Sequence, residues 1–204
     1  IYFNRTYTIA CKWFVGVIAE SEGNEMNIQY LVPFIEAAYE VLKAEAKFEM
    51  KRGKLSLTKG PYITDEVTVI ISLIGDVVGT VFYGMNSQTA LQIISIILGE
   101  RLDEVDALAQ SGIAELGNVI TGRASVKLSK SGLESTISPP TLMIGKGAMI
   151  STLDLPRLIV PLQGEPGQMI IHLALIESRK SGLSPAQLQV PQAPEILKPP
   201  SENP

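Results

Sequence analysis

Residues 111–122 read Ser-Gly-Ile-Ala-Glu-Leu-Gly-Asn-Val-Ile-Thr-Gly and set the carboxylate of Glu115 one helical turn from the carboxamide of Asn118. At about 3.6 residues per turn, positions 111, 115, 118 and 122 share one side of a helix, while Ala109, Ile113, Leu116, Ile120 and Ala124 share the other. A carboxylate and a carboxamide at that separation can hold and orient a water molecule. Gly112, Gly117 and Gly122 each cost such a helix roughly 1 kcal/mol relative to alanine, which points to close approach by another backbone or a neighbouring helix.

These residue types limit the reaction. Neither Glu nor Asn is a good nucleophile, and a solvated glutamate is a poor base at neutral pH, so amides and stable phosphate esters lie beyond the pair. An acyl phosphate is a mixed anhydride and already labile. Placing a water in line with its phosphorus is then enough, and positioning alone lowers a barrier by several kcal/mol. The phosphoaspartate of a response regulator is such a group, and its own active site supplies a divalent ion and a lysine.

The elements that must carry the pair follow from periodicity. Amphipathic spacing begins at Met26 and predicts a first helix to about Met50, with Pro33 in its early turns. Residues 67–74 and 77–84 are β-branched and apolar, and Gly75-Asp76 between them suits a two-residue hairpin with positive φ. Helices are expected over 86–98 and 102–128, parted by Gly99 and by Glu100, Asp103 and Glu104, whose charge suits the next helix's N-terminus. A second hairpin pairs 157–163 with 168–176 through Gly164-Glu-Pro-Gly167. Hairpins grouped apart from helices indicate an α+β fold with an antiparallel sheet and two long helices. Laying Ile35 on Ile113 shows pseudo-duplicated helix and strand-hairpin halves, with Ala37 and Glu40 opposite Glu115 and Asn118.

Composition narrows the classes further. The chain has 204 residues, 46% apolar and 19% charged, with a net charge of −4 and scattered basic residues, which argues against a nucleic-acid surface. Its single cysteine and single histidine exclude disulfide frameworks, multi-cysteine metal sites and histidine clusters, and a reducing compartment is the natural reading. The apolar runs at 9–19 and 90–98 fall short of the roughly 18 residues that span a bilayer, so no membrane anchor is expected. Residues 1–25 read as foreign to the fold, 26–178 as the working domain, and 179–204 as a Pro-rich disordered tail. His172 is out of phase with Met169, Ile171, Leu173 and Leu175 and is read as structural. Met85, Met143, Met149 and Met169 read as core filler, and the basic cluster from Lys47 to Lys54 reads as the solvated end of the first helix.

The spacing Glu-x2-Asn alone is common. The wider pattern Ser111-x3-Glu115-x2-Asn118-x3-Gly122, within Glu-Leu-Gly-Asn-x-Ile-x-Gly on a long helix followed by strands, resembles the CheX/CheC/FliY family of chemotaxis phosphatases over about residues 26–178. With one complete pair, the chain is most similar to the CheX branch. The resemblance implies a phosphatase that acts on a phosphorylated CheY-like response regulator and terminates the chemotaxis signal. It further implies that Asn118 enters the regulator's acidic pocket and aligns the hydrolytic water, while Glu115 engages the regulator's lysine. No cofactor of its own is implied, only Mg2+ supplied by the phosphorylated partner, together with a homodimer, a cytoplasmic location and neither nucleic-acid nor membrane partners. The alternative is a non-catalytic module that binds a response regulator or a flagellar switch. It would keep Glu115 and lose little when Asn118 is changed.

Overall fold

The computed structural model describes residues 28–151 and 155–178. The expectations for 1–25 and 179–204 lie outside the described residues. No helix among the described residues is long and apolar enough to cross a membrane.

The first half of the chain contributes helix α1 (Ile28–Glu45), short strands β1 (Lys51–Arg52), β2 (Ser56–Thr58) and β3 (Tyr62–Ile63), and the hairpin β4 (Val67–Gly75) and β5 (Val77–Met85). Helix α2 (Ser87–Leu98) follows. The second half repeats the order, with helix α3 (Ala107–Lys130), short strands β6 (Ser135–Ile137), β7 (Thr141–Ile144) and β8 (Met149–Ile150), and the hairpin β9 (Arg157–Gly164) and β10 (Gly167–Glu177). The fold is α+β and the sheet is antiparallel, as the grouping of hairpins and helices requires.

The two halves interlock through their strands. The sheet runs β1-β9-β10-β5-β4-β6, with β2 also on β9 and β7 also on β4. Each half therefore lends its short strands to the other half's hairpin, and β5 against β10 joins the two, with Val81 opposite Leu173. The third short strands also cross between halves, with Tyr62 opposite Ile150 in the β3–β8 pair. This exchange is the expected pseudo-duplication, but the matching of the helices shifts by one position. Buried Tyr30, Phe34, Ala37, Ala38, Val41 and Leu42 correspond in order to buried Ala109, Ile113, Leu116, Gly117, Ile120 and Thr121. Ala37 is buried where Glu115 is exposed, so the partners of Glu115 and Asn118 are Glu36 and Tyr39 rather than Ala37 and Glu40.

Alternation along the strands gives the sheet one helix-covered face. Val69, Ile71, Val81, Tyr83, Val160, Leu162, Ile171 and Leu173 pack under the helices as one core. Intervening residues face the other side, where β3 supplies a partial cover. Tyr62 there stacks on Phe82 at 4.2 Å between ring centroids and meets the edge of His172 at 4.9 Å. The Arg157 guanidinium lies 5.6 Å from the Tyr62 centroid and donates to the carbonyls of Gly60 and Pro61. His172 is thus structural and outside the main core, as its phase predicts.

Several boundaries differ from expectation for local reasons. Helix α1 ends at Glu45 instead of Met50 because Lys47 takes a positive φ of 58°. The amides of Ala46 and Phe48 both turn back to the Leu42 carbonyl, while the Lys47 ammonium donates to the carbonyl of Ala44. The rest of the basic cluster is not helical, since Lys51 and Arg52 pair with Gln163 and Leu162. Pro33 lies inside α1. Between β4 and β5 only Gly75 takes a positive φ, at 143°. Asp76 instead ties the connection to the segment just before β6, donating its amide to the Glu134 carbonyl and accepting the Glu134 amide on its carboxylate. Met85 and Met169 fill the core, but Met149 is 71% exposed and does not.

His172 yields a pH prediction. Nδ1 of His172 and Nε of Arg157 are buried without a hydrogen-bond partner among the described residues. Burial, aided by the Arg157 charge, lowers the imidazole pKa from its ordinary value to about 4. In the unfolded chain the ring takes its proton near pH 6.5. Between pH 6.5 and 4 the unfolded state therefore binds more protons, and stability is lost as pH falls through that window. Chemical denaturation at pH 7 and pH 5 should show that His172→Gln removes about 2 kcal/mol of the wild-type loss; equal losses in both proteins would contradict the assignment.

Candidate functional site

Helix α3 begins where Asp106, in extended conformation, accepts the Ala109 amide on its carboxylate at 2.8 Å. The acidic residues expected to start it at 102 instead lie in the preceding loop, where Asp103 pairs with exposed Arg101. From Asp106 onward the apolar stripe of Ala109, Ile113, Leu116, Ile120 and Ala124 is buried as the spacing predicts.

The opposite stripe faces solvent. Ser111 and Glu115 are exposed, Asn118 and Gly122 are half-buried, and the Asn118 amide nitrogen lies 3.4 Å from Oε2 of Glu115 as its donor. The structure thus brings together the two residues that spacing nominated. The pair lies on the outward face of α3. A groove of about 720 Å³ elsewhere, lined in part by Phe48, Leu91, Ile96, Leu102 and Pro166, includes neither of them. A small substrate favours a concave pocket, whereas side chains on the outward face of a helix can reach a reacting centre that a partner carries in its own cavity.

The three glycines divide by environment. A Cβ on Gly112 would lie 2.7 Å from Cγ2 of Ile94, so this glycine admits α2. One on Gly117 would lie 2.7 Å from Cγ1 of Val69 and 3.2 Å from its Cβ, so this glycine admits the sheet. Gly122 is different, because a Cβ there would meet only Cδ1 of Ile137 at an ordinary 3.9 Å. Internal packing requires two of the glycines, whereas the third, on the polar stripe, would accept a Cβ without a clash.

Sequence reasoning missed two polar residues under the site. Tyr83 on β5 and Thr121 on α3 are both buried, and their hydroxyls are 2.8 Å apart. Thr121 also donates to the Gly117 carbonyl at 2.8 Å. The available signal was a threonine in the buried phase of the helix. Among the described residues, no group of three or more His, Cys, Asp or Glu side chains is placed to hold a metal ion.

Comparison with known proteins gives a consistent set. The family model for chemotaxis phosphatase CheX matches residues 67–163. The CheY-P phosphatase CheX of Thermotoga maritima is 30% identical over 128 residues, spanning 62% of this chain and 83% of that protein. A CheC-like superfamily protein from Shewanella sp. PV-4 superposes with a TM-score of 0.68 at 28% identity, over 74% of this chain and 99% of that one. CheX of Borrelia burgdorferi, solved as a CheX-CheY-BeF3-Mg2+ complex, superposes at 0.63 with 30% identity, over 74% of this chain and all of that one at 100%.

The glycine geometry predicts opposite responses to alanine. Gly117→Ala gains about 1 kcal/mol of helix propensity but forces a methyl against a stiff β-branched side chain, and overpacking of that kind costs about 1–3 kcal/mol. A net destabilisation is expected in urea unfolding. Gly122→Ala should be neutral or slightly stabilising in the same measurement, and equal effects at the two positions would refute the assignment.

Proposed function

The chain belongs to the CheX family of chemotaxis phosphatases, and from that premise we propose that it hydrolyses the phosphoaspartate of a CheY-like response regulator with Glu115 and Asn118 as its working pair. The observation that carries the assignment is this hydrogen-bonded pair on the outward face of α3, with Glu115 exposed and Asn118 half-buried. Such a surface inserts into a partner's acidic pocket.

In this reading the Asn118 carboxamide binds the attacking water and holds it in line with phosphorus, opposite the aspartyl oxygen that leaves. Glu115 makes a charge-assisted hydrogen bond to the regulator's lysine and fixes the docked helix. Its bond to Asn118 holds the two side chains together before docking. The missing side chain at Gly122, where a Cβ would meet only Cδ1 of Ile137 at 3.9 Å, lets the partner's backbone approach α3. The divalent ion belongs to the regulator; the relative from Borrelia burgdorferi was solved together with CheY, BeF3 and Mg2+. The same reading places the protein in the cytoplasm with its regulator.

A homodimer completes the proposal. Ile63 and Met149, opposite each other in the β3–β8 pair, are 53% and 71% exposed, and Ile144 on β7 is 51% exposed. Large apolar side chains grouped in this way suit burial against a second copy. Light scattering should give twice the monomer mass for the wild type and a monomer for Met149→Asp; a monomeric wild type would exclude the dimer.

Turnover is tested by the decay of a phosphorylated CheY-type regulator. The wild type should accelerate dephosphorylation, and Asn118→Ala should lose at least about tenfold of that acceleration, equivalent to roughly 1.4 kcal/mol of barrier. Glu115→Ala should weaken docking and raise KM. Binding of the regulator without acceleration, unchanged in Asn118→Ala, would make the protein a docking module instead.

A further inference from the structure

A chain of hydroxyls crosses the otherwise apolar layer beneath Asn118. Thr121 donates its single hydroxyl proton to the Gly117 carbonyl at 2.8 Å. With that proton committed, its 2.8 Å bond to Tyr83 must run the other way, from the phenol to the Thr121 oxygen. Burial pushes the Tyr83 phenol far above its ordinary pKa, so it remains a donor throughout the working pH range. The order is therefore Tyr83 to Thr121 to Gly117, from the sheet into the helix backbone.

The end of this chain lies beside the working pair. The Gly117 carbonyl and the Asn118 amide belong to one planar peptide unit, so a bond that fixes the carbonyl also fixes the tilt of the unit carrying the Asn118 Cα. A threonine bonded to the carbonyl four residues earlier biases the local bend of a helix. Here the bend is also set from below. Without a side chain at Gly117, α3 sits directly on Val69 and on the Tyr83 ring, 3.5 Å from where a Cβ would stand. The hydrogen bond from Thr121 and the contacts from β4 and β5 thus act on the same residue, Gly117.

Resting on the phosphatase reading above, we propose that Tyr83 and Thr121 are positioning residues for Asn118. They hold its carboxamide at the height over the sheet that in-line attack requires. A water-orienting group depends on sub-ångström placement, whereas docking through Glu115 tolerates more movement. Glu115 lies toward the N-terminus from the pinned peptide and relies less on it. The hydroxyl chain should therefore govern turnover more than affinity, which a solely structural hydroxyl pair would not do.

The test is steady-state dephosphorylation of a phosphorylated CheY-type regulator over a range of regulator concentrations, comparing wild type, Tyr83→Phe, Thr121→Val and Thr121→Ser. Tyr83→Phe keeps the ring and Thr121→Val keeps the branched shape of the side chain, while Thr121→Ser keeps the hydroxyl and loses only a methyl. Tyr83→Phe and Thr121→Val should lower kcat about three- to tenfold, the range expected from loss of one ordinary hydrogen bond, with KM changed less than about twofold. Thr121→Ser should restore most of kcat. Unchanged kcat in a folded Tyr83→Phe, or a loss confined to KM, would overturn the positioning role while leaving the phosphatase reading intact. A wild type that produces no acceleration would overturn both.

Discussion

The pairing of β5 with β10 is the constraint on which the molecule depends. It runs from Met85 opposite Met169 to Val77 opposite Glu177, and it joins two halves that each lack a complete sheet. A lone hairpin is marginal in water because one face of two strands buries too little apolar area. Once joined, the hairpins form a surface on which α1 and α3 both lie. The exchange of short strands then follows, since among the described residues β1 and β2 pair with β9, and β6 and β7 with β4. Fold and site are therefore formed together, because α3 has no floor until the halves meet.

The sequence carries this plan unevenly. Long apolar segments were legible: residues 67–74 become Val67–Gly75, residues 86–98 become Ser87–Leu98, and the expected second hairpin appears with the predicted turn. Asn86 and Gly99 cap α2 at the expected places. Short strands were not legible in detail, because two to four residues show no period and are defined only by partners distant in sequence. The start of α3 was misplaced for another reason. The acidic residues before it match the charge preference of a helix N-terminus, but the helix starts where a side chain, that of Asp106, reaches a free amide.

The site divides along the same line. Glu115 and Asn118 could be paired from spacing, because one helix turn determines their separation. The neighbours of Gly112 and Gly117 could not, since a glycine signals close approach without saying what approaches. Ile94 and Val69 come from α2 and β4, and their placement depends on the joined sheet. Tyr83 and Thr121 were missed for the same reason. Each looks ordinary in its own element, and only the seating of α3 on β5 makes them partners.

The duplicated frame also differs between its halves at the matching helix positions. By burial, Glu36 and Tyr39 on α1 occupy the places held by Glu115 and Asn118 on α3. Glu36 accepts Lys127 at 3.1 Å, and neighbouring Glu40 accepts it at 2.7 Å with Arg123 at 4.0 Å. The first half's carboxylates thus tie α1 to α3, their charge balanced within the chain, and a tyrosine replaces the carboxamide. Glu115 has no ion-pair partner among the described residues; its contact is the neutral amide of Asn118. A carboxylate balanced internally gains little from an added cation, whereas one left in water retains its attraction for a lysine brought by a partner. Two halves built to one plan have accordingly diverged: the glutamates of α1 hold cations of α3, whereas Glu115 on α3 faces solvent.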